Sequence, residues 1–159
     1  MVNLFSHSDL KTKKIAEILA KEIIKIQNQK GAFVLGLKGD LGGGKTTFLQ
    51  GFALGLGIKE RVLSPTFVIL KKFTIPKKRK QYNFDNFYHI DCYRIDDKDE
   101  IFSLDLKKII LNPKNIVAIE WIDRIIKFLP QKDILMIRFK FIDKNKREIK
   151  LNKFKNIKL

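Results

Sequence analysis

Residues 39 to 48 read Gly-Asp-Leu-Gly-Gly-Gly-Lys-Thr-Thr-Phe, and this stretch decides the fold. Gly39, Gly44, Lys45 and Thr46 occupy every fixed position of the spacing G-x-x-x-x-G-K-[ST]. From this chain's own residue frequencies, a chance match anywhere along it comes to roughly half a percent. The apolar run Ala32 to Leu37 before it reads as a strand, and Lys45 to Leu56 after it reads as a helix. Strand, glycine loop and helix make half of a parallel α/β unit. Gly42, Gly43 and Gly44 carry no Cβ, so the backbone there can wrap closely around phosphate oxygens and aim its N–H groups at them. The helix N-terminus adds its dipole, Lys45 a full charge near the β- and γ-phosphates, and Thr46 a hydroxyl for Mg²⁺. The competing reading is an ordinary glycine-rich strand-to-helix turn.

Outward from the loop, Asp9 to about Gln27 places Ile15, Ile18, Leu19, Ile23 and Ile26 at helical spacing, with Ser8 or Asp9 as cap. Gly55 and Gly57 are expected to end the helix after the loop. Phe67 to Phe73 and Phe84 to Cys92 read as two strands joined by a basic hairpin loop at Lys77 to Gln81. Residues 98 to 111 predict a helix with Ile101, Leu104, Ile109 and Ile110 inward. Ile116 to Ile119 is an apolar strand ending at Glu120, and a short helical stretch runs to Phe128, before Pro130. Ile134 to Phe141 and Glu148 to Phe154 alternate around Asp-Lys-Asn-Lys-Arg and predict a closing antiparallel hairpin. The expected fold is α/β and P-loop NTPase-like: three layers, a mixed central sheet and a C-terminal antiparallel hairpin, in one domain over 1–159.

A phosphate loop needs carboxylates to hold Mg²⁺ and order water, and these sit at the ends of neighbouring buried strands. Asp91 ends Phe-Tyr-His-Ile-Asp and Glu120 ends Ile-Val-Ala-Ile-Glu; each is also readable as a helix cap or a surface group. Residues 85 to 105 hold seven acidic groups against two basic ones. Trp121 reads as core packing or as a partner of a nucleotide base, His89 as a satisfied strand histidine on the face of Asp91, and Cys92 as a small buried hydrophobe.

The charge points elsewhere. Lys and Arg number 33 against 17 Asp and Glu, a net +16 with pI near 9.9, and residues 121 to 159 supply half of that excess, 12 basic against 4 acidic. Only 6 of the basic residues are Arg, whereas phosphate and base recognition favours Arg forks, so a solvated lysine surface competes with a nucleic-acid reading. A single cysteine excludes an intramolecular disulfide, no apolar run reaches membrane-spanning length, and the N-terminus lacks a signal-peptide pattern. A cytoplasmic protein with no disulfide partner and no membrane partner is expected.

Four segments in order, GDLGGGKTTF at 39 to 48, SPTF at 64 to 67, HIDCYR at 89 to 94 and IEW at 119 to 121, resemble the TsaE (YjeE) family. These are bacterial ATPases of the tRNA N6-threonylcarbamoyladenosine modification machinery. The resemblance extends to Thr12, Ile15, Ala16, Leu19 and Ala20 in the first helix. It implies ATP and Mg²⁺ as cofactors, with Thr46 and Glu120 on the metal. Lys45, Asp91 and Glu120 would form the catalytic group, Asp91 acting on the attacking water. Leu41, Gly42, Gly43, Gly44, Lys45 and Thr46 would cradle phosphates, Asp9, Thr12 and Trp121 would lie near adenine, and Arg147 matches a recurrent family arginine counted with the nucleotide site. Thr66 would sit in a loop that senses the γ-phosphate. The sequence departs from the family at Ile90 and Cys92, where HFDLYR is usual, at Asp105, where glycine is frequent, and in the longer basic connector 77 to 86.

By resemblance the partners are TsaB and TsaD, with ATP hydrolysis resetting their complex, and weak tRNA contact is compatible with that role. A small-molecule P-loop kinase is one alternative, although no arginine cluster marks a lid; a lysine-rich nucleic-acid-binding ATPase is another, with DKNKR and KFKNIKL as its footprint.

Overall fold

The strand expected before the glycine loop is β2 (Phe33–Gly39), and the loop delivers the chain into α2 (Lys45–Gly55). The structure, a computed structural model, describes residues 2–27, 29–63, 70–77, 82–94, 105–129 and 134–152. Around β2 lie β1 (Val2–Ser6), α1 (Asp9–Ile23), β3 (Leu70–Thr74), β4 (Asn86–Asp91), α3 (Leu106–Leu111), β5 (Asn115–Glu120), β6 (Ile134–Phe141) and β7 (Arg147–Leu151). The described strands form one sheet in the order β1-β7-β6-β2-β5-β4-β3. Its centre is parallel, β6-β2-β5-β4, while β3 on one side and β7 with β1 on the other run antiparallel. The mixed sheet and the C-terminal hairpin are therefore as expected, and the six-residue β5 is buried end to end, as a central parallel strand requires.

Strand alternation sorts the core into two layers. Phe33, Leu35 and Leu37 face α1 and α2, while Val34 faces α3 and the two 3-10 turns Ile122–Arg124 and Ile126–Phe128. These turns are the short helical stretch expected after Glu120, and they take the 3-10 form. Two helical layers enclosing a sheet give the three-layer architecture.

Several expectations change in detail. Ser8 is the cap of α1, its Oγ accepting from the Lys11 N–H at 3.1 Å. The helix stops at Ile23, and Ile18, expected inward, is 48% exposed. Small side chains turn inward in its place: Thr12, Ala16 and Ala20 are buried. The reason lies in α2. A Cβ on Gly51 would collide with the Lys13 carbonyl oxygen and Cα, and one on Gly55 would stand 2.6 Å from the Glu17 carbonyl oxygen. Gly55 thus lies inside α2 and lets the helices touch, whereas Gly57, at φ 84°, makes the left-handed turn just beyond it. The strand expected at Phe67 to Phe73 appears from Leu70, its beginning lying outside the described residues, as do 78–81 of the basic loop. The helix expected from 98 is seen as α3, from Leu106, with Ile101 and Leu104 outside the described residues.

Gly51→Ala should therefore force α1 and α2 apart and cost about 1–3 kcal/mol, while Leu54→Ala, at a position of α2 that is 59% exposed, should cost less than about 0.5 kcal/mol. Urea denaturation of both variants checks this; equal midpoints would refute the close helix contact.

Candidate functional site

Parallel strands end together, and here their carboxyl ends carry the charged residues. Asp91 of β4 pairs in register with Glu120 of β5, and Glu120 pairs with Leu37 of β2, two residues before the glycine loop begins. The two carboxylates that end these strands are thus direct neighbours beside the loop. In the loop the Gly43 N–H donates to the Asp40 carbonyl at 3.0 Å. Gly44 then takes φ 94° to turn the chain into α2, a conformation that disfavours any side chain. No side chain caps that helix, so its first N–H groups stay open to an anion.

Thr46, in the first turn of α2, donates from Oγ1 to Glu120 at 3.0 Å to Oε1 and 3.2 Å to Oε2. Glu120 is 2% exposed and its Oε1 also lies 2.9 Å from His89 Nε2. His89 Nδ1 is buried with no hydrogen-bond partner. His89 is thus a strand histidine, as expected, satisfied at one nitrogen. Lys45 folds back over the loop, donating to the Gly39 carbonyl at 2.8 Å and the Asp40 carbonyl at 2.7 Å. Its ammonium stands 4.0 Å from the centre of the Trp121 ring. Burial pushes the Lys45 pKa below its ordinary value, and the charges of Glu120, Asp91, Asp40 and Asp123 oppose that shift. Asp91 Oδ1 accepts from the Tyr93 N–H at 3.0 Å.

Trp121 follows Glu120 with φ 58°, a left-handed backbone that costs a bulky residue about 1–3 kcal/mol. The turn lays its ring over Lys45, with the Tyr93 ring 5.1 Å away. This half-buried ring packs against the second layer of the core, as one of its two sequence readings expects, and also borders the loop through Lys45.

A second group forms where β7 crosses the start of α1. Arg147, 6% exposed, donates from Nη1 to Asp9 Oδ1 at 2.6 Å and to Thr12 Oγ1 at 3.3 Å. Ser6 and Thr12 share a hydrogen bond of 2.8 Å between hydroxyls. A Cβ on Gly44 would meet Arg147 Nη1 at 3.0 Å and Cδ at 3.1 Å, so the guanidinium supports the loop at its glycine. Arg147 Nε is buried without a partner.

The donor set fits a nucleotide with Mg²⁺. Among the described residues no group of three His, Cys, Asp or Glu is placed to hold a metal alone. Mg²⁺ characteristically takes one or two protein oxygens plus phosphates, which is what Thr46 and Glu120 at an open helix N-terminus offer. Of the residues singled out in the sequence, Lys45, Thr46, Asp91, Glu120 and Trp121 converge at one edge. Asp9, Thr12 and Arg147 converge behind Gly44. Leu41 stands 74% exposed at the loop's tip, flanked by Gly42, whose φ is 73°. Thr66 lies outside the described residues. Sequence reading gave no role to His89 against Glu120, to Ser6, or to the Arg147 contact with Gly44. Period-two alternation had already put His89 beside Asp91 on one face; no hydrophobic pattern marks Ser6, which bonds Thr12 six residues on, and nothing local signals the contact of Arg147 with Gly44, more than a hundred positions away.

The model of the family described as threonylcarbamoyl adenosine biosynthesis protein TsaE matches residues 6–149. The tRNA threonylcarbamoyladenosine biosynthesis protein TsaE of Haemophilus influenzae is 36% identical over 124 residues, covering 78% of this chain and 70% of that protein. Its namesake in Bacillus subtilis is 39% identical over 107 residues, 65% of this chain and 60% of that protein. The Rickettsia typhi protein of that name is 34% identical over 148 residues, 92% of each. Among solved structures, Bacillus subtilis YdiB superposes with a TM-score of 0.65 at 32% identity, covering 94% of this chain and 83% of that one.

The site's second layer makes one chemical prediction. Burial, reinforced by the charge of Asp91, pushes the Cys92 thiol up to about 12. At pH 8 the folded protein should resist a thiol reagent such as dithionitrobenzoate and release one equivalent only on unfolding. Rapid labelling of the native protein would contradict the placement of Cys92.

Proposed function

Because the chain belongs to the TsaE family of threonylcarbamoyl adenosine biosynthesis proteins, its residues 6–149 matching the family, we propose that it is the Mg²⁺-dependent ATPase of the bacterial tRNA N6-threonylcarbamoyladenosine machinery, acting on the TsaB–TsaD complex. One observation carries the reading: the Thr46 hydroxyl and the Glu120 carboxylate, 74 residues apart in the chain, meet at 3.0 Å beside Lys45 at the mouth of a glycine loop.

Each residue has a share of the work. Leu41, Gly42, Gly43 and Gly44 offer backbone N–H groups to phosphate oxygens, and Lys45 supplies a localised positive charge in a partly dry site, where it counts for more than in water. Thr46 and Glu120 would hold Mg²⁺, which when bound would offset the negative charge that grows on the phosphate during transfer. His89 keeps Glu120 turned toward Thr46 through its 2.9 Å contact. Asp91, one strand over, orients the attacking water and receives its proton. Asp9 and Trp121 border the base, while the fully buried Thr12 and the buried Arg147 hold Asp9 and Gly44 in place from behind.

No arginine is assigned to the transferring phosphate. Arg147 is bound to Asp9 and Thr12 behind the loop, so the isolated protein should turn over slowly and speed up when its partners complete the site. Hydrolysis in this reading resets the partner complex and does not itself transfer the carbamoyl group. The setting is the cytoplasm, where the tRNA and partners reside; no helix among the described residues is long and apolar enough to cross a membrane.

The test is phosphate release from ATP and Mg²⁺ with and without TsaB and TsaD. Turnover should be low alone, rise with the partners and vanish with EDTA. Glu120→Ala should cut it at least ~100-fold, the scale of losing one preorganised electrostatic contact, while the variant still unfolds cooperatively. Wild-type turnover in Glu120→Ala, or a phosphorylated acceptor in place of free phosphate, would defeat the proposal.

A further inference from the structure

The sheet's second face is covered by α3 and the 3-10 turns over β2, β5 and β4, but over β6, β7 and β1 it carries exposed Asn3, Phe5, Arg138 and Lys140. Strand pairing puts an unusual set of charges there. Lys38 of β2 is opposite Arg138 of β6, and Arg138 is opposite Lys150 of β7. By alternation all three point to this face, in one row with steps of about 4.8 Å between strands. Lys140 stands two residues beyond Arg138 on the same face, about 6.8 Å further along the strand.

Like charges directly opposite one another destabilise a sheet, so the row is a cost the fold bears. It is only partly offset: Lys150 meets Glu148 at 3.2 Å and Lys38 meets Asp123 at 3.6 Å, while Arg138 and Lys140 make no ion pair among the described residues. The hairpin adds the exposed Lys144 and the half-buried Lys146. On the same face lies an aromatic ring, Phe5 of β1, 43% exposed, with Lys146 Nζ 5.8 Å from its centre; Glu148, already engaged by Asn3 and Lys150, stands between it and Lys140 and is the one acidic residue of these strands on that face among the described residues. A row of cations alone would suit any polyanion. An exposed ring set among cations on an open sheet offers a stacking partner to an unpaired base, which a duplex does not present.

We infer that the open face of β6, β7 and β1 binds unpaired nucleotides of RNA, with Arg138, Lys140 and Lys150 on phosphates and Phe5 stacked on a base. The choice of RNA among polyanions rests in part on the family assignment; the site itself uses no residue of the glycine loop and needs no nucleotide in it.

The experiment is fluorescence anisotropy of the full chain with a short single-stranded RNA, an RNA duplex of equal length and a tRNA transcript, each across a salt series. The double variant Arg138→Glu, Lys150→Glu should lower affinity for the single strand at least ~10-fold and flatten the salt dependence by roughly one unit of slope per lost phosphate contact. Phe5→Ala should cost ~5-fold or more on the single strand and leave duplex affinity nearly unchanged. Lys59→Glu, Lys107→Glu makes the same charge change at two exposed residues outside this face and should have little effect. ATP turnover is measured in every variant and should not change, so loss of RNA binding and loss of ATPase are read separately. The inference falls if the wild type binds no RNA at low salt, or if the Lys59 and Lys107 variant loses as much as the Arg138 and Lys150 variant. It falls equally if the latter keeps RNA affinity and loses only its stimulation by partner proteins, which would make the face a protein-docking surface.

Discussion

The hydrogen bond from Thr46 to Glu120 joins the first turn of α2 to the last residue of β5, and the rest of the site depends on it. A carboxylate that is 2% exposed is costly unless its oxygens are occupied. Glu120 meets that demand with the Thr46 hydroxyl on one side and His89 on the other. The bond ties α2 to the central sheet beside the glycine loop, where Lys45 lies over the loop carbonyls and Trp121. The close contact of α1 with α2 through Gly51 and Gly55 then carries the start of α1, with Asp9 and Thr12, to Arg147 behind the loop.

Much of this was readable in the chain. The glycine loop gave β2, the loop and α2, because its residue types have a geometric reason to stand in that order. The apolar runs ending at Asp91 and Glu120 gave two neighbouring parallel strands, and the structure pairs those residues directly. The inward face of α1 was harder, since hydrophobic periodicity favours Ile18 over Ala16 and Ala20, while the decisive fact is the missing side chains at Gly51 and Gly55 on another helix. Strand β1 is five residues long and leaves no pattern strong enough to separate it from the helix that follows. Residues 95–104, which hold most of the acidic island, lie outside the described residues.

The charge of +16 also acquires a location. Its C-terminal excess includes the face of β6 and β7, where register turns scattered lysines and one arginine into a row, a feature that composition cannot reveal because it depends on which strands are neighbours. The candidate nucleotide site starts at Gly39, directly after Lys38 at the end of that row, and its loop leads into α2 on the other face of the sheet. Its chemistry comes from one lysine and two carboxylates at the ends of β4 and β5, a local balance close to neutral inside a basic protein.

The central claim is that Thr46 and Glu120 together form the protein's share of a metal site that is completed by nucleotide. Calorimetric titration of a non-hydrolysable ATP analogue, with Mg²⁺ and with EDTA, into the wild type and into Glu120→Gln measures this directly. The account predicts that Mg²⁺ tightens binding at least ~10-fold in the wild type and that the gain disappears in Glu120→Gln, with metal-free affinity nearly unchanged. An equal Mg²⁺-dependent gain in both proteins would contradict it.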